Sequence, residues 1–481
     1  MALTRLGRSP KLPTLKPNHL IATIALFFGM TSFAWPADLT PAQRGWLAKA
    51  KRFERHGWTY LHIEGEAQAR GFQHGYLLAR EIAETLRVHR AAWEYKKGVA
   101  WPWLVARAAQ VLAPKVDAEN LAELDGIVAG MRAAGAETTR EEMIAYNAQL
   151  EFEGYWWPLE KKHLSETRPE PAPDRCSAFI ATGSWTADHG IVMGHNTMFD
   201  YVEAAANVVM GLAPAQGQRI LMQTQPGFIH SGTDFFLTSA GLVGCETTIG
   251  QFSGFDTNGV PEFVRMRRAT QDARSIGEWC EVLKRGNNGG YANAWLLGDV
   301  NSGEIARLEL GLKYIGFERT SDGYFAGCNV AEHKALLRLE TDRSETDIRK
   351  SAGARRVRWK QLLLENRGRI TTSSAEKFLA DDYDVYFKKR NPGARTLCRH
   401  YELDPQPFGG PEPFEPNGTF DGKVVDTHLA KQMSFLGRWG SADGRAFFAD
   451  KFLREHPQYD WQNGLLKDRP SQPWTAFQAG E

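Results

Sequence analysis

The chain has 481 residues, 42% of them hydrophobic and 24% charged, an ordinary globular balance with enough apolar side chain for one large core or two modest ones. Its 58 basic and 57 acidic side chains nearly cancel, and beyond residues 1–34 the balance is 54 to 57, which leaves no basic footprint for nucleic acid.

Residues 1–34 carry Arg5, Arg8, Lys11 and Lys16 and no acidic side chain, followed by an uncharged run from Leu20 to Ala34. Those 15 residues fall short of the roughly 20 that span a bilayer, and Ser32 and Ala34 fit the small-x-small pattern of a cleaved secretory signal. The expectation is export to a secreted or periplasmic location, with no stable membrane span in the mature chain. A membrane anchor is the alternative.

Trp58 to Ile63 reads as a strand. From Glu66 to Tyr95 the apolar positions Phe72, Leu77, Leu78, Ile82 and Leu86 recur at helical spacing. Further helices are predicted over Glu119 to Ala134 and Glu141 to Glu151, so residues 35–175 are expected to be mainly helical. Pro158, Pro169, Pro171 and Pro173 among charged residues mark 158–175 as an exposed linker, the kind of segment where chains are cut.

After the linker the pattern turns to strands. Cys176 opens the run Cys176-Ser177-Ala178-Phe179-Ile180. The turn Asp188-His189-Gly190 leads into a second run ending Gly194-His195-Asn196-Thr197. Strands are also expected at Ile220–Thr224, Phe235–Ser239 and Gly241–Cys245, and a hairpin at Tyr291–Asp299 and Glu304–Leu310 around Asn301-Ser302-Gly303. Helices interrupt at Pro261–Arg274, Ile276–Lys284 and Ala352–Leu364. The tail from Asp381, rich in aromatics, Pro and Gly, reads as an irregular wrap. Strands covered by helices on this scale predict an α+β sandwich of sheets between helical layers.

Five cysteines, Cys176, Cys245, Cys280, Cys328 and Cys398, match no CxxC metal or redox spacing, and no Walker loop, HExxH or dinucleotide motif occurs. No cofactor and no metal is called for. Asp256-Thr257-Asn258-Gly259 starts like a calcium loop but lacks its glutamate, and reads as a turn. An odd cysteine count outside the cytoplasm suits one free thiol, with up to two disulfides or buried free thiols for the rest. If the bond between Arg175 and Cys176 is cut, Cys176 carries a thiol and its own α-amine, whose ordinary pKa is about 7.7–8.0 and suits it to accept the thiol proton. A buried structural thiol is the alternative.

Several motifs recur in order along the chain: Gly65-x4-Arg70-Gly71-x3-Gly75, Glu123-Leu124-x-Gly126, Asp174-Arg175-Cys176-Ser177-Ala178, Gly194-His195-Asn196-Thr197, Glu246-Thr247-Thr248-Ile249, Asn287-Asn288-Gly289-Gly290-Tyr291-Ala292-Asn293, Arg395-Thr396-Leu397-Cys398-Arg399-His400 and Asp421-Gly422-Lys423-Val424-Val425-Asp426. In these the chain resembles the cysteine N-terminal-nucleophile hydrolases of the acyl-CoA:6-aminopenicillanic acid acyltransferase type, and the related phospholipase B-like proteins. The resemblance implies an αββα sandwich, self-cleavage before Cys176, and hydrolysis or transfer of a linear N-acyl amide through a thioester, on a small-molecule or peptide substrate.

It also implies an oxyanion asparagine at Asn293, for which a turn asparagine is the alternative. Thr248 or Thr247 would add a backbone N–H or hydroxyl. His195, Asn196 and Thr197 are expected beside Cys176; the more distant bile-salt and penicillin V hydrolases carry Arg and Asp in this stretch, and this chain has His195 and lacks that Arg. Arg395 is the candidate for the missing positive charge. Three rivals stand beside this reading: an acyl-ester hydrolase acting on lipids, with Trp101, Trp103, Trp156 and Trp157 as acyl-pocket or core residues; a non-catalytic binding protein; and a papain-like protease, disfavoured because a strand follows Cys176. The oligomeric state is open.

Overall fold

The computed structural model describes residues 39–165, 175–204, 208–342, 346–408 and 412–481; the expected signal segment and residues 166–174 of the expected linker lie outside the described residues. The strands in chain order are β1 (Lys51–Arg55), β2 (Trp58–Gly65), β3 (Ser177–Thr182), β4 (Val192–Asp200), β5 (Val208–Pro214), β6 (Ile220–Thr224), β7 (Phe235–Thr238), β8 (Leu242–Thr248), β9 (Asn293–Asp299), β10 (Glu304–Leu310), β11 (Ile315–Thr320), β12 (Gly323–Gly327), β13 (Tyr383–Asp384), β14 (Lys389–Arg390), β15 (Asn417–Asp426), β16 (Ser434–Trp439) and β17 (Thr475–Gln478). They form a nine-stranded sheet ordered β1-β2-β5-β6-β7-β8-β9-β10-β11, a six-stranded sheet ordered β12-β3-β4-β15-β16-β17, and the small β13-β14 ribbon. Only β2 and β5 run parallel.

Side chains alternate across each strand, and in the central strands both faces are apolar, so the middle of each sheet is buried on both sides, while the edge strands β1 and β11 are largely exposed. Val209, Leu221, Leu237, Val243 and Leu296 of the large sheet meet Ala178, Ile180, Met193, Val425 and Phe435 of the small one in a core between the sheets. The opposite parity of the large sheet, Leu61, Met210, Met222, Phe236, Trp295 and Leu308, packs against helices including Ala79–Lys97, Ala118–Ala133, Glu262–Asp272 and Ile276–Lys284. On the far side Phe179, Val192 and Val424 pack on helices Ser351–Glu365 and Thr372–Leu379. The result is the four-layer αββα sandwich expected of the resemblance.

The glycine motifs act in the first helical layer. Helix Ala67–Leu77 lies so close to Ala118–Ala133 that a Cβ at Gly71 would sit 1.9 Å from the Glu123 carbonyl oxygen, and one at Gly126 would sit 2.4 Å from that of Gln68. Across this contact Glu123 accepts from Arg70 Nη2 at 2.7 Å and Arg267 Nη2 at 3.0 Å, all three side chains being buried. Charges buried this deeply are tolerable because they are paired and hydrogen-bonded.

Two expectations need adjusting. The tail after Asp381 is no irregular wrap: it supplies β15, β16 and β17, half of the six-stranded sheet. Its strand character was hidden because β15 carries Gly418, Gly422 and the charged pair Asp421 and Lys423, which is buried as an ion pair rather than solvated. The expected linker is helical as far as Ser165; a π turn at Phe152–Trp156 directly precedes Pro158, relaxing the hydrogen-bond ladder where proline has no N–H to give. All five cysteines are buried and unbridged. Among the described residues no helix is long and apolar enough to cross a membrane.

Candidate active site

Cys176 sits one residue before β3 with its backbone at φ +58°, a left-handed conformation that is uncommon for a residue with a Cβ. The peptide units before and after it are both held. Asn329 Nδ2 donates to the Arg175 carbonyl, and Arg355 Nη1 donates to the Cys176 carbonyl at 2.8 Å. Arg355 also fixes the asparagine, donating from Nη2 to Asn329 Oδ1 at 2.6 Å, while Asn329 Nδ2 reaches the Thr248 carbonyl at 2.6 Å. One turn along the same helix, Trp359 Nε1 donates to Ser177 Oγ at 2.8 Å. The outer helix therefore grips the chain on either side of the Cys176 thiol. A strained residue persists only where its surroundings over-determine it.

Cys176 lines a narrow pocket with Thr197, Met198, Gln225, Asp234 and Tyr291. Its Sγ lies within 4.8 Å of carboxylate oxygens of both Asp234 and Glu246. Burial, with the nearby Asp234 charge, pushes the thiol up to about 12; a backbone hydrogen bond from Met198 and the charges of Lys423 and Arg399 work the other way. The group is therefore a neutral thiol that needs a base. Burial also pushes Asp234 up to about 6, against the pull of hydrogen bonds from Glu246 and Tyr291 and the charge of Lys423. Glu246 is held well above the carboxylate range by burial and by Asp234. Tyr291 Oη bridges the two acids at 2.8 and 3.1 Å and accepts from Thr248 Oγ1 at 3.2 Å. Of the pair, Glu246 keeps its proton and Asp234 is the acid that ionises first.

A buried cation completes the electrostatics. Lys423 Nζ donates to Asp421 Oδ1 and Gln223 Oε1, both at 2.5 Å, and to Thr197 Oγ1; Gln223 Nε2 donates on to Asp421. This network lies between the sheets, with Thr197 shared by the Cys176 pocket.

The expected residues divide. Cys176, Arg175 and Thr197 come together. Thr248 enters twice: its carbonyl accepts from Asn329 and orients it, and its hydroxyl donates to Tyr291 rather than to the Arg175 carbonyl. His195 pairs with Ala178 across the β3–β4 ladder, but its Nε2 is bound to the Glu246 carbonyl at 2.9 Å, which requires the proton on that nitrogen. Burial and Lys423 hold it well below the ordinary histidine range, hence neutral. Asn196 points to the opposite face, donating to the carbonyls of Leu379 at 2.8 Å and Leu397 at 3.0 Å, and so clamps the outer helix layer. Arg395 is buried in an ion pair with Asp384 at 2.9 Å and Asp404 at 3.3 Å, and does not line the pocket; the cations acting on the Cys176 thiol are Lys423 and Arg399.

Asn293 is buried at the start of β9 opposite Thr248, on the helix-facing parity shared with Trp295, and neither amide atom has a hydrogen-bond partner. The asparagine found on the Arg175 carbonyl is Asn329. Trp101, Trp156 and Trp157 pack in the core under the helices, not in the pocket. His189 at φ +61° is the turn residue expected, and Asn258 N–H closes an Asx turn on Asp256. Asn329, Asp234, Arg355 and Lys423 were not singled out for roles. Lys423 and Glu246 stood in recognised motifs, and an asparagine ending a strand after Gly327-Cys328 was the available signal for Asn329.

The donors of Cys176, Asp234 and Glu246 converge, but the acids are already tied to Tyr291 and held toward their protonated forms, so the trio fits a proton-sharing acid pair beside a thiol.

A phospholipase B family model matches residues 117–310, a stretch holding Glu123, Cys176, Asp234, Glu246 and Asn293. The chain is 25% identical over 240 residues to human phospholipase B-like 1, covering 44% of this chain and 41% of that protein. It is 27% identical over 334 residues to phospholipase B-like protein C of Dictyostelium discoideum, covering 61% of this chain and 55% of that protein. The chain thus spans less than two thirds of the length of either curated relative. Among solved structures, the conjugated bile acid hydrolase of Clostridium perfringens aligns over 55% of this chain and 89% of that chain, at 8% identity and a TM-score of 0.33. Over these stretches the chain is similar to the phospholipase B-like proteins.

Proposed function

We propose that the chain cuts itself between Arg175 and Cys176 and then hydrolyses a linear N-acyl amide with the N-terminal Cys176. In the first stage Asp234 takes the thiol proton as Sγ attacks the Arg175 carbonyl carbon. Asn329 Nδ2, already on that oxygen, stabilises the oxyanion. The Arg175–Cys176 C–N bond then breaks, the proton passes to the leaving α-amine, and water hydrolyses the thioester to the Arg175 carboxylate and the free thiol. In the second stage the α-amine relays the proton, the substrate carbonyl replaces that of Arg175 on Asn329, and the acyl thioester on Cys176 is resolved by water. An amine in place of water makes the same site an acyltransferase. Export of the mature enzyme is part of this reading.

The observation that carries it is the carbonyl of one peptide bond held by a side-chain amide, next to a left-handed cysteine whose thiol faces two buried acids. A second reading, hydrolysis of lipid acyl esters, draws on the similarity to phospholipase B-like 1 and uses the same groups. The test is intact mass spectrometry after brief incubation with N-acyl p-nitroanilides and with acyl phospholipids. An acyl adduct on Cys176 and release of the amine support the first reading. Adduct and fatty acid from phospholipid alone support the second. Turnover by Cys176→Ala overturns both.

A further inference from the structure

A second cluster of reactive side chains lies on the outer side of the six-stranded sheet, and none of its members lines the Cys176 pocket. Cys398 and His400 come from the segment before the single turn Tyr401–Leu403, and His400 is pinned to β15 by a bridge to Gly418. Ser441 and Asp443 come from the loop after β16. Cys398 and His400 are fully buried, while Asp443 keeps a partly exposed side chain that marks a way in from solvent.

The distances have a recognisable scale. Cys398 Sγ is 3.6 Å from His400 Nε2, which is 3.3 Å from Asp443 Oδ2, and one donor atom from each of the three lies within 4.8 Å of the others. A tetrahedral zinc with Zn–S about 2.3 Å and Zn–N or Zn–O about 2.0 Å has sulfur–nitrogen and nitrogen–oxygen edges of about 3.5 and about 3.3 Å. Behind the ring, His400 Nδ1 is bound to Glu402 Oε1 at 2.7 Å, the carboxylate–imidazole arrangement that fixes a metal-binding tautomer. Ser441 Oγ lies 3.1 Å from Cys398 Sγ, 3.3 Å from His400 Nε2 and 2.8 Å from Asp443 Oδ1. Two cations compete for Asp443 Oδ2: a proton on the His400 ring itself, which would make it an ion-pair partner at 3.3 Å, and Arg445, whose Nε is 3.6 Å away.

We propose that Cys398 Sγ, His400 Nε2 and Asp443 Oδ2 bind one zinc ion, with Glu402 orienting the imidazole and a water beside Ser441 in the fourth position. Binding sends the thiol proton and any proton on Nε2 to solvent. The ion would tie the segment that enters β15 to the loop that leaves β16, cross-linking the C-terminal half of the small sheet; three protein ligands with an open fourth place also match the donor count of a reactive zinc.

The test uses the full chain stripped with EDTA and titrated with zinc chloride and, separately, cobalt chloride. The site predicts one equivalent of zinc at micromolar concentration or below, a raised melting temperature, and a thiolate-to-cobalt charge-transfer band. Cys398→Ser removes that band, and Glu402→Gln weakens binding about 10–100-fold. Cys176→Ser changes neither. Asp443→Asn, at a partly exposed position, serves as the second ligand variant if Cys398→Ser fails to fold without metal. No binding at micromolar zinc, a cobalt complex with no sulfur band, binding indifferent to Cys398→Ser and Asp443→Asn, or binding lost in Cys176→Ser would each overturn the proposal.

Discussion

Glu123 and Asp234 are both buried acids, one in the helical layer and one just before the central strand β7, yet their surroundings differ in kind. Glu123 meets two guanidiniums and joins two helices whose backbones touch through glycine. Asp234 meets another acid, a phenol and a thiol, with its nearest strong cation, Lys423, already engaged by Asp421. With Glu119, which also accepts from Arg70 Nη2 at 3.0 Å, the first cluster balances its charge and serves stability. The second leaves a carboxyl short of compensation, so its proton is easily exchanged, and places it next to a nucleophile. A buried acid near a fully matched cation is inert; one left under-compensated in a pocket is poised for proton transfer.

The sharpest way to break this comparison is at the sulfur. Cys176→Ala leaves the chain uncut and abolishes turnover, read by gel mobility and by substrate assay. Next comes Asn329→Asp, which keeps the size of the side chain but turns the donor on the Arg175 carbonyl into an acceptor. Self-cleavage should slow about 10²–10³-fold, the usual cost of one oxyanion donor; an unchanged processing rate would remove Asn329 from the mechanism. In the other cluster, Glu123→Gln leaves Arg267 without a carboxylate and Arg70 with only the partly exposed Glu119. It should cost about 3–5 kcal/mol in denaturant unfolding, while the folded fraction still processes. Impaired processing at unchanged stability would erase the distinction between the clusters.

Asp234→Asn probes the smaller, pH-dependent effect. Because the folded chain holds this proton between the ordinary 3.8 and about 6, it binds more protons there than the unfolded chain does. That contribution is complete below 3.8 and is lost as pH rises through about 6, so Asp234→Asn should flatten this part of the stability–pH curve and raise the melting temperature at neutral pH. The same substitution should remove the rise in self-cleavage rate through about pH 6. A wild-type rate that is flat across that window would take the base role from Asp234.

Much of the fold was legible from periodicity. β2, the helices at Ala118–Ala133 and Ile276–Lys284, and the β9–β10 hairpin lie close to where the apolar spacing predicted them. β15 was missed because a strand whose charges are paired inside the protein has the composition of a loop. The place of Cys176 just before a strand was legible in the sequence, and the motif residues His195 and Asn196 were correctly put on the neighbouring strand. Their roles were not legible, because parity decides them: Thr197 faces the pocket while Asn196, one residue earlier, faces the outer helices. Asn329 and Lys423 come from chain more than 150 residues beyond Cys176 and reach it only through sheet order, which no local pattern encodes.

The most direct test is intact mass and N-terminal sequencing of the purified wild-type protein beside Cys176→Ala. A 306-residue fragment, 176–481, beginning at Cys176 in the wild type and an uncut chain in the variant are the predicted results. A fully active wild type whose polypeptide runs unbroken through Arg175 and Cys176 would contradict the account.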